Sequence, residues 1–201
     1  MKRRLVLTGL VLACGLAAAQ TVPANPPVRL RGTIEKYEAP LLTLRERSGE
    51  VVTLTLADKL TFQEVLPIAL SAIQPGAFIG TAAVPRSDGL LESLEVVVFP
   101  EAARGSGEGH YPWDLKPEST MTNATVADLV AAPSGRRLTL RYKDGEKTVV
   151  VPDHVPVVTF KPGEPSLIRP GAKAFIVASL RDGKPVATRL VVGRDGFAPP
   201  M

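Results

Sequence analysis

Beyond Val28 the apolar and polar positions of the chain alternate with the two-residue period of β-strands rather than the longer period of a helix. Leu41-Leu42-Thr43-Leu44 and Val51-Val52-Thr53-Leu54-Thr55-Leu56 flank a Ser48-Gly49-Glu50 turn. Leu138-Thr139-Leu140-Arg141-Tyr142 and Thr148-Val149-Val150-Val151 do the same around Asp144-Gly145. The 17 glycines and 19 prolines punctuate the chain throughout. A short helix is expected within Phe62 to Ile73, limited by Pro67, and a further turn near Leu167.

The alternating segments repeat. Thr33-Ile34 matches Thr125-Val126, Leu42-Thr43-Leu44 matches Leu138-Thr139-Leu140, and Gly49-Glu50 matches Gly145-Glu146. Further on, Pro75-Gly76-Ala77 matches Pro170-Gly171-Ala172, Asp88-Gly89 matches Asp182-Gly183, and Leu94 to Val98 matches Thr188 to Val192. The order is kept and the offsets stay between 92 and 96. Each stretch holds five strand candidates. The expected fold is all-β: two tandem small five-stranded barrels, OB-like, each with at most one short helix, after an N-terminal signal helix. Closure into barrels hides strand edges. The corresponding divisions are a signal peptide over 1–19, a Pro-rich linker over 20–29, a first β repeat over 30–100, a Gly/aromatic linker over 101–122, a second β repeat over 123–193 and a tail over 194–201. In Pro-Gly-Ala-Phe-Ile-Gly, Pro75 and Gly76 set a turn, and Gly80 is expected to let a strand bend.

The N-terminus has the order of a bacterial secretory signal. Lys2, Arg3 and Arg4 precede an apolar run from Leu5 to Leu16, and Ala17-Ala18-Ala19 offers a cleavage site that would leave Gln20 first. The run is shorter than the roughly 20 residues that a spanning helix needs. The expectation is a periplasmic protein without a transmembrane span after cleavage. The alternative is processing at Cys14, whose lipidation would tether the protein to a membrane. The leader carries three of the 24 basic residues and none of the 20 acidic ones, so the chain beyond it is close to neutral. That argues against nucleic acid as a partner, which requires clustered positive charge. Cys14 is the only cysteine, so no disulfide can form within the chain.

Between the repeats, a Gly-rich start (Gly105, Gly107, Gly109) leads into His110, Tyr111, Trp113 and Asp114. A plain linker has no need of His, Tyr and the only Trp within four positions. Tyr111 and Trp113 either plug a seam between barrels or, with His110 and Asp114, form a ligand- or partner-binding site. Glu108, His110 and Asp114 are also a candidate metal set, with Asp153 and His154 as further donors, although they lack a fixed ligand spacing. No cofactor is otherwise expected. Catalytic patterns are absent: there is no Gly-x-Ser-x-Gly elbow, phosphate-binding glycine loop or paired acidic motif.

The run Gly107-Glu108-Gly109-His110-Tyr111-Pro112-Trp113-Asp114, followed by Ser119-Thr120-Met121-Thr122-Asn123-Ala124-Thr125-Val126, resembles exported proteobacterial proteins of unknown function with tandem OB-like β-barrel domains. The resemblance extends over most of the chain beyond the leader. Members of that group sometimes carry the label "metal ABC transporter permease", which conflicts with a chain whose only apolar run is its leader. The resemblance implies a non-catalytic periplasmic protein that binds or scaffolds at the envelope, its partner an unknown envelope protein or small ligand. A metal- or small-ligand-binding accessory to an envelope transporter is the alternative.

Overall fold

In the computed structural model, which describes residues 27–133 and 135–201, the alternation becomes twelve strands. The expected leader, its cleavage between Ala19 and Gln20, and Cys14 lie outside the described residues. The strands are β1 (Val28–Glu38), β2 (Leu41–Glu46), β3 (Val51–Pro67), β4 (Phe78–Pro85), β5 (Leu91–Val98), β6 (Gly109–Pro112), β7 (Thr120–Ala132), β8 (Gly135–Tyr142), β9 (Gly145–Pro152), β10 (Val157–Pro162), β11 (Lys173–Arg181) and β12 (Lys184–Gly193). Among the described residues the only helical pieces are single 3₁₀ turns, including Leu70–Ala72 and Pro165–Leu167, and no helix is long and apolar enough to cross a membrane. The turn expected near Leu167 is one of them. The helix expected within Phe62 to Ile73 shrinks to Leu70–Ala72. Its first half is instead the end of β3, because residues 61–65 pair with β12 and residues 63–67 with β10, and the sheet satisfies their amides better than one helical turn could.

The strands form one sheet that closes on itself. β12, β11, β1, β2 and β3 pair in that order, and a parallel β3–β12 ladder closes a five-strand ring. β5, β4, β7, β8 and β9 pair likewise, and the parallel Leu91–Val149 and Glu92–Val150 bridges join β5 back to β9. The all-β, barrel character expected from the alternation is therefore present. The rings do not follow the two stretches in tandem, however. Each takes three strands from one stretch and two from the other.

The far end of β3 explains the crossing. β3 pairs with β2 over residues 51–55 and with β12 as far as Val65, but its last residues, 63–67, also pair with β10 outside the ring. It carries the chain out of the first ring, and Pro75-Gly76-Ala77 then docks on β7. The contacts are reciprocal. Val126 N–H donates to Ala77 O and Gly76 N–H to Val126 O, while Ile34 N–H donates to Ala172 O and Gly171 N–H to Ile34 O. Gly76 and Gly171 take φ of 83° and 86°, which glycine adopts without strain. β3 and β10 meet antiparallel between the rings, with Val65 opposite Phe160.

Three cores result. Leu42, Leu44 and Leu54 fill the first ring with Ile176 and Leu190 from the other stretch. Leu138, Leu140 and Val149 fill the second with Ile79 and Val96. Each fully buried Leu is worth about 2–3 kcal/mol of transfer free energy. The third core lies at the junction, where Val65, Val97, Val158, Phe160, Phe175, Val191 and Met201 pack with Phe99, Trp113 and Phe197.

Candidate functional site at the junction of the rings

Two β-bulges aim charged side chains into this junction. On β5, Leu91 belongs to the ring interior but so do Val96 and Val98, so the inward parity changes between them. The change is a register shift: Ala82 pairs with Glu95 and Ala83 with Ser93, leaving Leu94 out. Glu95 thereby leaves the ring interior and shares the junction face with Val97 and Phe99. β12 does the same. Ala187, Leu190 and Val192 face inward, a shift between Ala187 and Arg189 separates them, and Arg189 joins Val191 at the junction. Glu95 and Arg189 hold corresponding places in the two stretches, 94 positions apart.

There they line a cavity of about 90 Å³ together with Gly80, Val97, Phe99, Tyr111, Trp113, Met121, Asn123, Phe160, Phe175 and Met201. Its polar lining is under-satisfied. Glu95 is fully buried and neither carboxyl oxygen has a hydrogen-bonding partner in the protein. Trp113 Nε1, Asn123 Oδ1 and Arg189 Nε also lack one. Of the described residues with such atoms, only Gln63 and Thr120 lie off this cavity. Buried polar groups are normally paired, so four converging exceptions require a reason. Of three wider surface depressions of about 300 Å³, those around Arg45 and Lys173 and around Arg169 and Asp195 have no such group in their walls, and the one around Phe62 and Pro100 has a single one, Gln63.

The surroundings of each group are set locally. Asn123 Nδ2 donates to Ser106 O, Gly107 O and Tyr111 Oη, at 3.1–3.2 Å, and these acceptors fix the amide with Oδ1 toward the cavity. Trp113 sits at the start of a tight loop. Its backbone N–H donates to Ser119 O at 2.8 Å, and Ser119 Oγ donates to Lys116 O and Trp113 O. The Arg29 guanidinium lies 4.0 Å from the Trp113 ring centre, Arg189 5.0 Å from that of Phe160 and Arg31 5.2 Å from that of Phe175. Arg31 also donates from Nε to Met201 O at 2.6 Å and from Nη2 to Asp114 Oδ1 at 2.7 Å.

Burial pushes the Glu95 carboxyl up to about 8, the Arg31 charge opposing only in part. Burial likewise raises the Tyr111 phenol and lowers the Arg189 guanidinium from their ordinary values. Perturbed groups of this kind, gathered in one cavity, mark a site candidate.

The expected site residues divide. Tyr111 and Trp113 line the cavity, their rings 6.2 Å apart. Asp114 stands outside, paired with Arg31 and, at 3.7 Å, with Arg29. His110 turns away: Nδ1 lies 2.8 Å from Thr122 Oγ1, the ring stacks on Tyr142, and burial lowers its pKa. Glu108 accepts the Lys143 N–H at 3.0 Å, and Asp153 and His154 lie exposed in the β9–β10 turn. The proposed metal set Glu108, His110 and Asp114 is thus engaged elsewhere, and among the described residues no group of three His, Cys, Asp or Glu side chains is placed to hold a metal ion. Gly80 also leaves room at the cavity wall: a Cβ there would lie 2.5 Å from Asn123 Oδ1 and 3.0 Å from the Phe99 ring.

Glu95, Asn123 and Arg189 escaped the sequence reading. The available signal was a charge inside each matched apolar run, Leu94-Glu95-Val96 and Thr188-Arg189-Leu190. Neither a protein-family model nor a curated protein nor a solved structure matches the chain.

Proposed function

We propose that the chain is an exported, non-catalytic binding protein of the bacterial envelope and that its site is the junction cavity. The observation that carries the reading is the convergence of the Glu95, Trp113, Asn123 and Arg189 polar atoms, all without protein partners, on one aromatic-walled space. Leaving such groups unpaired costs about 1–3 kcal/mol each, and a ligand that pairs them recovers part of that. The partly exposed members Phe99, Tyr111, Trp113 and Arg189 are where a ligand would enter. Export rests on the Lys2-to-Ala19 leader, and the non-catalytic reading on the sequence, which carries no recognised catalytic motif. The five-strand rings suit an OB-like barrel with its last two strands exchanged between repeats. Delivery to an envelope transporter, the alternative role for a small-ligand binder, would start from the same cavity.

Trp113 is the only tryptophan, so its emission reports on this site. A panel of small anionic, cationic and neutral compounds should contain members that change the emission saturably, and Gly80→Val, which fills the cavity, should abolish the change. If no member of any charge alters Trp113 emission while envelope proteins are retained on the immobilised chain, the reading gives way to scaffolding through another surface.

A further inference from the structure

The cavity's chemistry narrows the ligand class, an inference that rests on the cavity being the binding site. The unpaired atoms are mostly donors or can become so. Arg189 Nε–H and Trp113 Nε1–H donate only, and Asn123 Oδ1 accepts only. The Glu95 carboxyl donates when protonated. The fixed charges are also one-sided. Arg29, Arg31 and Arg189 each lie over an aromatic wall of the junction, and of the two carboxyl groups beside them Asp114 is already bound to Arg29 and Arg31. An ammonium ligand would have to enter among three guanidinium groups and ionise Glu95. An anion meets donors and favourable charge at once.

We propose that the junction cavity binds the carboxylate of a small organic acid, with Arg189 Nε, Trp113 Nε1 and the protonated Glu95 carboxyl as donors and Phe99, Phe160 and Phe175 around its apolar body. Asn123 Oδ1 then favours an acid that carries a hydroxyl or amino donor near the carboxylate. A volume of about 90 Å³ equals that of about three waters in the liquid, which suits a body of a few heavy atoms.

The proposal has a pH signature. Glu95 donates only while protonated, and its carboxyl titrates at about 8. The charged or titratable groups around it are Arg31 from β1, Arg189 from β12 and Tyr111 from β6. Burial lowers the Arg189 guanidinium and raises the Tyr111 phenol from their ordinary values. The neighbours from β7, β10 and β11 are Asn123, Phe160 and Phe175, none of which titrates. If binding requires the protonated carboxyl, affinity falls about 30-fold between pH 6.5 and 9.5.

The test titrates the leaderless chain with acetate, propionate, butyrate and lactate, and in parallel with ethylammonium and propionamide. Trp113 emission is followed at constant ionic strength, at both pH values, in carboxylate-free buffer. The proposal expects saturable responses to the acids, roughly 30-fold weaker at the higher pH. Glu95→Gln, which carries a donor at every pH, should flatten that dependence, and Arg189→Met should weaken binding at both. A melting curve of each variant separates lost binding from lost folding. Ethylammonium binding that strengthens with pH, or no saturable response to any of the acids, overturns the proposal. The first outcome leaves the cavity reading standing. In the second, the wider panel with Gly80→Val decides separately whether the cavity binds ligands at all.

Discussion

Glu95 should make the protein less stable as pH rises from 5 to 9, and Glu95→Gln should remove the effect. The carboxyl has no exposed surface and no partner, so burial opposes its ionisation and lifts it from 4.5 to about 8. In the unfolded chain it titrates near the ordinary value. Between those two values the folded protein holds a proton that the unfolded chain has released. Stability therefore falls with pH at about 1.4 kcal/mol per unit from this one group. The contribution is fully present below the unfolded pKa and is lost as pH passes through the folded one, for a total on the order of 5 kcal/mol. Other groups titrate in the same range, which is why the variant is needed. His110, lowered by burial, moves stability the opposite way, gaining as pH rises through the ordinary histidine range. Subtraction of the Glu95→Gln curve cancels such terms. Urea unfolding at pH 5, 6, 7, 8 and 9, with a constant slope against denaturant, should show the two proteins about equal at pH 5 and the variant more stable by several kcal/mol at pH 9. Parallel curves across that range would refute the argument, since they would mean that Glu95 is solvated or paired in the folded protein.

Gly80→Ala places a methyl against Asn123 Oδ1 and the Phe99 ring; a loss of about 1–3 kcal/mol by denaturant titration is expected. Leu44→Ala and Leu140→Ala empty matched, fully buried sites in the two rings and should each cost about 2–5 kcal/mol. Tyr111→Phe removes the hydroxyl that accepts from Asn123 Nδ2 at 3.1 Å; a cost of about 0.5–1.5 kcal/mol in urea unfolding is expected. Arg194→Met strips the two-pronged contact, at 2.8 and 2.9 Å, that holds the Glu64 carboxyl below the usual carboxylate range. Its destabilisation should be present at neutral pH and shrink as pH falls below 4, measured as a melting-temperature difference.

Much of the fold was legible because burial imposes parity. Leu42 and Leu44 alternate with Leu41, Thr43 and Arg45, and those two leucines are the ones inside the ring. Pro75-Gly76-Ala77 and Pro170-Gly171-Ala172 read as turns into strands, which they are. The exchange of strands between rings was not legible. A strand such as β11 shows the same alternation whether it pairs with its own stretch or the other, and only the pairing of the end of β3 with β10 and the reciprocal docking of Gly76 and Gly171 decide. The site was half legible. Tyr111 and Trp113 stood out by rarity, but rarity also drew in His110 and Asp114, which pair with Thr122 and with Arg31 instead. Glu95 and Arg189 are hidden by bulges. A strict two-residue period drawn through β5 puts Glu95 on the same face as Leu91 and Ser93, and the register shift at Leu94 is what turns it to the junction.

Carboxyl ¹³C NMR of the glutamate-labelled chain, with Glu95→Gln identifying the resonance, shows whether Glu95 is a buried carboxyl facing a ligand cavity. The resonance should titrate with a midpoint near 8 that moves upward when a binding acid such as propionate is added, because the acid selects the protonated form. A midpoint at the ordinary glutamate value, unmoved by any ligand, would contradict it.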